Sequence, residues 1–429
     1  MPIFVTEDAY LCIQRCLSSS GKKGINFSKE ITAIFPGINT ILKKINRHFS
    51  GIMGCSRLGI NKKIRTFVSV ENKSMKVEEK FMARCIELAR HGAGYTAPNP
   101  MVGAVVVHNG KIIGEGFHRR CGMGHAEVNA LASVHNEDLL REATLYVSLE
   151  PCSHYGKTPP CAELIIQKGI PRVVVGCLDP FPEVSGRGIR MLREAGVEVV
   201  TGVMEQEARA LNEAFMIFQT EKRPLVTLKW AESADGFIDA CRNSAKTAPI
   251  TFSTPETRAR VHKLRAESAA ILVGTRTALL DNPSLSVRYW SGKSPVRLVI
   301  DRELKIPSSY HLMDHSVPTL VFTTYRKEPV GQTEYVPLDF KISIVHQILQ
   351  CLYERKLNSL LVEGGASLLQ QFLDSGYWDR AVVEKSPLCI QTGVKAPDIP
   401  SGSVRFEQMS GHVFALYTHS RKNNCPKIL

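Results

Sequence analysis

One histidine, one glutamate and two cysteines have the types and spacing of a metal site. His125 and Glu127 are separated by a single residue, and Cys152 and Cys161 follow later in the chain. One imidazole and two thiolates leave the fourth position of a tetrahedral zinc open, as in catalytic zinc sites. A water molecule in that position can have a pKa of about 7. Glu127 is not needed as a ligand, so we expect it to carry protons to and from that water.

A structural zinc, or unrelated buried thiols, is the alternative interpretation of these residues. The chain has 12 cysteines, and a single cysteine is most often a small buried apolar residue. The conjunction of His125, Glu127, Cys152 and Cys161 favours the catalytic interpretation. The H-x-E and P-C pattern also resembles the signature of zinc deaminases that act on bases.

The net charge of +13 invites a nucleic-acid interpretation, but its location argues against one. Residues 1–74 contain 12 basic and four acidic residues, so most of the excess lies there. We therefore predict that the basic character belongs to a leader and not to the enzyme. Because the excess charge lies outside the enzyme, we expect no nucleic-acid partner. We also expect no membrane partner, because no apolar run approaches the ~18 residues of a membrane span.

The segment 1–74 has no chemical motif and no sustained periodicity. It does not resemble a secretory signal, because Glu7 and Asp8 precede the apolar residues. An organelle transit peptide and a translation start at Met75 both remain open, and the abrupt helical pattern after Met75 favours the latter. Two cysteines needed as thiolates favour a reducing cytosol, so we predict a cytoplasmic enzyme.

After Met75 the pattern predicts alternating helices and strands. A helix through Phe81 ends at Gly92, and strands at 101–107 and 111–117 flank an Asn109-Gly110 hairpin turn. Further strands are predicted at 145–149, 172–177 and 197–200, with helices at 125–134, 161–166 and 186–195, and a linker helix at 204–220. Such alternation predicts an α/β sheet with helices on both faces, and His125, Cys152 and Cys161 at one edge.

Three motifs of this half resemble the pyrimidine deaminase domain of RibD-type riboflavin-biosynthesis enzymes. They are residues 96–103 (TAPNPMVG), 125–127 (HAE) and 150–161 (EPCSHYGKTPPC). The eight residues between the two cysteines distinguish this family from cytidine and tRNA-adenosine deaminases. The resemblance implies a cytidine-deaminase-like three-layer α/β/α domain at 75–221. It also implies that Asn99, His154 and Lys157 contact the pyrimidine or the ribose phosphate, whereas spacing alone suits ordinary loop residues equally well.

The second half, residues 222–429, has its own set of predicted elements. Strands are expected at 225–230, 270–274, 296–300, 318–323 and 360–365, followed by edge strands at 404–406 and 412–417. Helices are expected from Ser253-Thr254-Pro255-Glu256, which has a cap and an early proline, over 342–352 and after Gly365. A Gly-Gly turn before a helix can cradle a phosphate, although alone it is a weak signal.

Several motifs of this half resemble the RibD reductase domain, which has a dihydrofolate-reductase-like α/β fold and uses NADPH. They are residues 229–236 (KWAESADG), 274–277 (GTRT), 281–285 (DNPSL) and 362–365 (VEGG). The resemblance implies substrate contacts by Arg265, Leu285, Arg288 and Glu363. It implies cofactor contacts by the positions Ala231, Thr251, Thr277, Asp281, Gly365, Ala366, Ser367, Leu368 and Leu369.

Two positions depart from this family. The family has Trp where Thr251 stands, and often Ser where Pro249 stands. Losing the flat indole predicts NADPH binding weaker by roughly 1–3 kcal/mol if nothing fills the space. Arg276 is one candidate to hold an extra cofactor phosphate, and a solvated arginine is an equally good interpretation.

The resemblance therefore predicts a bifunctional riboflavin-biosynthesis enzyme that needs zinc and NADPH. It would deaminate 2,5-diamino-6-ribosylamino-4(3H)-pyrimidinone 5′-phosphate and then reduce the ribosyl group to ribityl. A monofunctional deaminase with a degenerate reductase domain is the alternative. The sequence leaves a homo-oligomer open.

Overall fold

Two large sheets organise the residues that this computed structural model describes, which are 77–155, 159–181, 185–400 and 402–419. The predictions about residues 1–74, the start at Met75 and the role of Lys157 lie outside the described residues. None of the described helices is both long enough and apolar enough to cross a membrane.

The first half of the chain alternates strands and helices around a five-stranded sheet. A helix, α1, covers residues 77–90. The next elements are β1 (Gly103–His108), β2 (Lys111–Phe117), α2 (Ala126–Ala132), β3 (Thr144–Leu149), α3 (Cys161–Gln167), β4 (Arg172–Cys177), α4 (Arg187–Glu194), β5 (Glu198–Thr201), α5 (Glu205–Leu211) and α6 (Glu213–Glu221).

The five strands have the order β2-β1-β3-β4-β5. Strand β1 is antiparallel to β2 and β3, whereas β3, β4 and β5 are parallel. Alternate residues of a strand point to opposite faces: Ala104 and Val106 pack beneath α2, α3 and α4, and Val105 and Val107 pack against α1, α5 and α6. The three-layer arrangement predicted for this half is confirmed.

The hairpin between β1 and β2 follows the Asn109-Gly110 turn. Both residues have positive φ, 50° and 73°, as a type I′ turn requires. The turn fixes the register in which Val107 lies opposite Ile112.

The single helix predicted at 204–220 is wrong, because the chain forms two helices that meet at Asn212. The Asn212 side chain accepts a hydrogen bond from the Met101 N–H and donates one to the Met101 carbonyl, both at 2.8 Å. Asn212 is 3% exposed and has a non-helical backbone, with φ −109° and ψ 25°. These contacts reach across the sequence, so helical periodicity alone could not reveal the break.

The second half forms a nine-stranded sheet with its own helices. Its elements are β6 (Leu225–Glu232), β7 (Phe237–Asp239), α7 (Pro255–Glu267), β8 (Ala270–Val273), α8 (Thr275–Asp281), β9 (Val296–Ile300), β10 (Thr319–Thr323), β11 (Thr333–Pro337), α9 (Ile344–Glu354), β12 (Ser359–Gly364), α10 (Ala366–Ser375), β13 (Arg380–Lys385), β14 (Val394–Lys395), β15 (Ser403–Met409) and β16 (His412–Thr418).

The order of this sheet is β11-β10-β9-β8-β12-β6-β13-β16-β15, and β7 pairs separately with β14. All neighbours from β11 to β13 are parallel, and β16 and β15 close the sheet as antiparallel strands. The two edge strands were predicted, but β11, β13 and the small β7–β14 pair were not. Apolar clusters cover both faces, which confirms the α/β fold.

The residue that caps helix α7 lies one position after Ser253, the residue predicted to cap it. Thr254, not Ser253, caps the helix, and its side chain accepts a hydrogen bond from the Thr257 N–H at 3.3 Å. The Ser253 hydroxyl donates instead to the Glu384 carboxylate at 2.7 Å. Ser253 does not cap the helix, because its hydroxyl is bonded to Glu384, a residue far away in the sequence.

Candidate active sites

The three predicted metal ligands lie together at the carboxyl end of β3. His125 is the residue before α2, Cys161 is the first residue of α3, and Cys152 is the third residue after the end of β3. The His125 Nδ1 atom is 3.5 Å from the Cys152 Sγ and 3.3 Å from the Cys161 Sγ. The ligand atoms of all three residues lie within 4.8 Å of one another. Two helix starts and one strand end thus build the cluster.

The electrostatics of the cluster favour a thiolate at Cys152. Hydrogen bonding from Cys161 and then from His125 lowers the pKa of Cys152 to about 4. The hydrogen bond to Cys152 and burial raise the pKa of Cys161, so the first proton leaves the pair readily and the second does not. A divalent cation would compensate the second negative charge, because thiolates are strong zinc ligands.

Glu127 is buried beside these ligands and is 3% exposed. Its Oε2 atom has no hydrogen-bond partner among the described residues. Burial raises the pKa of Glu127 to about 7. A buried carboxylate oxygen without a partner is costly unless something else occupies its neighbourhood. One imidazole, two thiols and this carboxylate therefore fit a zinc ion with a water molecule.

Asn99 lies at the same site and contacts a histidine that sequence reasoning missed. Its Nδ2 atom is 3.5 Å from the His118 Nε2, and the His118 Nδ1 is 3.2 Å from the Gly124 carbonyl oxygen. A carbonyl oxygen only accepts, so Nδ1 carries the proton and Nε2 accepts from Asn99. The His118 ring is 5.5 Å from the ring of His125. His118 thereby orients the amide of Asn99, leaving its Oδ1 as an acceptor.

His154 and Lys157 belong to the segment between the two cysteines. His154 is exposed, and its charge acts on the Asp179 carboxylate, whose pKa is raised mainly by burial. Lys157 lies outside the described residues. The predicted substrate contacts of these two residues stay predictions.

A cavity of about 450 Å³ lies at the carboxyl ends of the second sheet. It gathers most of the predicted reductase residues, which are Ala231, Thr251, Arg265, Thr277, Asp281, Arg288, Glu363, Gly365, Ala366 and Leu369. Residues from β6, α7, α8 and β12 thus meet at one edge of the sheet, where open α/β sheets bind ligands.

An ion pair between Arg265 and Glu363 forms one wall of this cavity. The Arg265 Nε and Nη2 atoms donate to the two Glu363 oxygens at 2.8 and 2.6 Å. Burial would raise the pKa of Glu363, but the Arg265 charge lowers it. Lys229 lines the same wall, and burial lowers its pKa. Lys229 is the first residue of the KWAESADG motif, but it was not predicted as a site residue.

His262 is a second residue of this cavity that the sequence did not single out. Its Nδ1 accepts from the Arg288 N–H at 2.9 Å. Burial and the neighbouring arginines lower its pKa to about 4, so it is neutral near pH 7. It supports the backbone of Arg288 rather than adding a charge.

A second cavity of about 830 Å³ adjoins the first. The two share Arg276, Thr277, Gly365 and Ala366. Gly365 precedes α10 and has a φ of 77°, which suits glycine and turns the chain into the helix. The ten-residue α10 points its free N–H groups toward the boundary of the two cavities, an arrangement that attracts phosphate. The pair of cavities fits an extended dinucleotide.

Comparison with known proteins assigns both halves. Residues 75–177 match the model of the cytidine and deoxycytidylate deaminase zinc-binding region, and residues 224–402 match the model of the RibD C-terminal domain. The riboflavin biosynthesis protein RibD of Aquifex aeolicus is 42% identical over 333 residues, which cover 76% of this chain and 92% of that protein. The chain belongs to the RibD family.

Solved structures of RibD proteins agree with this assignment. A deaminase/reductase from Thermotoga maritima has 39% identity and a TM-score of 0.74, covering 80% of this chain and 99% of that one. Acinetobacter baumannii RibD has 32% identity and a TM-score of 0.72, covering 81% and 100%. The Escherichia coli RibD protein is 36% identical, covering 72% of this chain and 88% of that protein.

This RibD chain therefore carries both a zinc-binding deaminase domain and an NADPH-dependent reductase domain. The family and domain matches confirm the predicted bifunctional enzyme, its two folds and its two cofactors. The individual roles of the site residues remain predictions.

Three predicted reductase residues do not line the first cavity. Leu285 lines neither cavity: its side chain is 2% exposed and packs in an apolar cluster with Ile271 and Val273. Its backbone has a φ of 52°, and its predicted substrate contact stays a prediction. Ser367 and Leu368 line the second cavity rather than the first.

Arg242 is a further residue of the first cavity that the sequence did not single out. It is 4% exposed, donates to Asp239 at 2.6 Å and to Asp281 at 2.5 Å, and lines the first cavity together with Thr251. Its backbone carbonyl accepts from the Arg276 Nη2 at 2.6 Å. The Arg242 charge thus compensates the charge of Asp281, and one Arg276 nitrogen is already used in a hydrogen bond. The loss of NADPH affinity expected from Thr251 stays a prediction.

Proposed function

We propose that this chain deaminates 2,5-diamino-6-ribosylamino-4(3H)-pyrimidinone 5′-phosphate and then reduces its ribosyl group to ribityl. The observation that carries the first step is the buried Glu127 carboxylate oxygen, which has no partner among the described residues, beside His125, Cys152 and Cys161. The name of the Thermotoga maritima relative, a diaminohydroxyphosphoribosylaminopyrimidine deaminase/5-amino-6-(5-phosphoribosylamino)uracil reductase, supports both steps.

In the deaminase site the chain's own residues bind and move protons. Zinc held by His125, Cys152 and Cys161 supplies Lewis acidity that makes a water molecule nucleophilic near neutral pH. Glu127 takes a proton from the water that attacks the amino-bearing ring carbon and passes it to the ring nitrogen. It then carries the next proton to the amino group, which leaves as ammonia. The oxygen of water remains on the ring as the carbonyl.

Substrate orientation falls to the polar residues around this centre. Asn99, whose amide is fixed by His118, presents Oδ1 to an N–H group of the pyrimidine. His154 and Lys157 are placed in the segment between the two cysteines, and we assign them to the ribose phosphate. A small pyrimidine ribose phosphate is the partner that this set of groups suits.

In the reductase domain the two adjoining cavities suit the two ends of NADPH. NADPH bound across them supplies the hydride for the ribosyl carbon. Arg265 holds Glu363 in one orientation toward the substrate, and Lys229 can deliver the proton that accompanies reduction, because burial makes that proton easier to lose. The start of α10 receives the phosphates of the cofactor.

Arg302 is the residue that we assign to the extra phosphate of NADPH. It lines the second cavity, and its guanidinium lies 5.5 Å from the centre of the Phe340 ring. Arg276, the residue proposed from sequence, already donates to the Arg242 carbonyl. An arginine that lies on an aromatic face and lines this cavity suits an adenosine 2′-phosphate.

We assign deamination to residues 75–221 and reduction to residues 222–429. Incubation of the purified chain with the diaminopyrimidine, with and without NADPH, followed by mass spectrometry of the products, tests both. The deaminated ribosyl product should form without NADPH, and the ribityl product only with it. Unchanged substrate would refute the proposal. Deaminated product with no nicotinamide oxidation would leave a monofunctional deaminase.

A further inference from the structure

Glu150 is a buried carboxylate two residues before the ligand Cys152, and the chemistry above does not use it. It is 4% exposed. Its Oε2 atom accepts from the N–H groups of Asp179 at 3.2 Å and Gly186 at 3.0 Å. Its Oε1 atom accepts from those of Gly188 at 3.1 Å and Ile189 at 3.4 Å. One side chain therefore satisfies four backbone donors.

These donors come from the end of β4 and from the start of α4. The first N–H groups of a helix have no partner within the helix and carry a partial positive charge. Gly186, the residue before α4, has no side chain that could cap them. Glu150, which belongs to a different strand, provides the missing acceptors with charge-assisted hydrogen bonds.

The backbone of α4 also touches the residue between Glu150 and Cys152. A Cβ atom added at Gly188 would lie 2.0 Å from the Pro151 carbonyl oxygen. No side chain fits there, so the helix can approach Pro151 only through a glycine. The peptide that leads into Cys152 is thus held by Glu150 on one side and by Gly188 on the other.

We propose that Glu150 is a positioning residue, which places Cys152 for metal binding by anchoring the end of β3 to the start of α4. Groups that orient a metal ligand commonly change metal affinity 10–100-fold when they are replaced. The inference rests on the proposed deaminase function, but its main readout is metal binding and not turnover.

The test compares Glu150→Gln with the full-length wild type. Glutamine keeps one accepting oxygen and turns an NH₂ group toward backbone donors, so at least one pair of bonds is lost. Zinc affinity should fall at least about 10-fold. In the cobalt-loaded protein, the absorption bands of the thiolate ligands should shift or weaken. NADPH oxidation with the deaminated substrate should stay at the wild-type rate, which shows that the reductase half is unaffected.

Asp301→Asn is the matched control. Asp301 is also a buried carboxylate that accepts from two backbone N–H groups, those of Lys305 and Ile306 at 2.9 Å, but it lies in the second sheet's half. It should leave zinc affinity and the cobalt spectrum unchanged. Gly188→Ala places a methyl group against the Pro151 carbonyl and so disturbs the same contact from the side of the helix. It should lower zinc affinity, as Glu150→Gln does.

A measurement on the unaltered protein covers the case in which the variants fail to fold. Amide hydrogen exchange in the peptide containing residues 186–189 should be slow even after zinc is removed, because Glu150 holds these donors without the metal. Exchange at the rate of an open loop would overturn the proposal, as would Glu150→Gln with wild-type zinc affinity and an unchanged cobalt spectrum. Weakened zinc binding in a chain that never deaminates the pyrimidine would leave the positioning role intact and refute the proposed function instead.

Discussion

At the scale of single residues, Glu127 separates metal binding from proton transfer. Its carboxylate is buried beside the three ligands without being one of them. A neutral amide of the same shape at this position would leave His125, Cys152 and Cys161 in place. The charge of Glu127 and its ability to carry a proton would be the only features lost.

We therefore expect Glu127→Gln to retain about one zinc per chain and lose deamination by on the order of 100-fold or more. Ammonia release measures the loss, and metal analysis measures zinc. The reductase rate on the deaminated substrate is the control and should not change. A variant that still deaminates at nearly the wild-type rate would show that another group carries the proton.

Sequence reasoning found His125, Glu127, Cys152 and Cys161 because their types and spacing are local signals. It missed His118, whose role depends on Asn99, 19 residues earlier in the chain. It also missed the anchoring contacts of Glu150, which reach 38 residues ahead to Gly188. Contacts of this length follow from the fold and leave no mark in a short motif.

At the scale of elements, the starts of helices and the ends of strands carry the chemistry. The end of β9 brings Arg302 to the second cavity, and α8 brings Arg276 to the boundary between the two. Arg276 is bonded to the Arg242 carbonyl, whereas Arg302 lies over Phe340. The two arginines should therefore differ in their effect on the cofactor.

We expect Arg302→Ala to raise the KM for NADPH about 10-fold, since hydrogen bonds to charged groups contribute roughly 1.5–3 kcal/mol. The KM for NADH, which lacks the 2′-phosphate, should stay nearly constant. Lys305→Ala is the control, because this nearby exposed lysine pairs with Glu303 at 2.6 Å. Equal losses with both cofactors would remove Arg302 from phosphate recognition.

Buried apolar runs made most strands predictable. Strands β4 and β9 have the predicted bounds, because parallel strands covered on both faces read as continuous apolar segments. Strand β13 was missed although it is buried, since its RAVVEK sequence mixes charges with a short apolar core. Glu384 in that strand is paired with His412 and Ser253, which a sequence pattern cannot show.

At the scale of the whole molecule, the basic segment 1–74 lies outside the described residues. Its predicted exclusion from the enzyme rests on its charge and on the start of the helical pattern after Met75. The family match to the deaminase region also begins at residue 75.

A chain beginning at Met75 should therefore fold, bind zinc and run both reactions at rates within about twofold of the full chain. Both rates and the zinc content would be measured side by side on the two proteins. An insoluble or inactive short chain, beside an active full chain, would show that residues 1–74 are part of the enzyme.

The two sheets share no strand, and none of the four apolar clusters among the described residues draws on both. Phe218 packs on Tyr353 between the halves, but no apolar cluster is shared. We therefore expect each half to melt by itself, and calorimetry should resolve two heat-absorption peaks rather than one. Zinc at 100 times its dissociation constant stabilises the half that binds it by about 2.7 kcal/mol. Chelation should lower the melting temperature of one peak by several degrees and leave the other in place. A single peak that moves as a whole would mean that the two halves unfold as one cooperative unit.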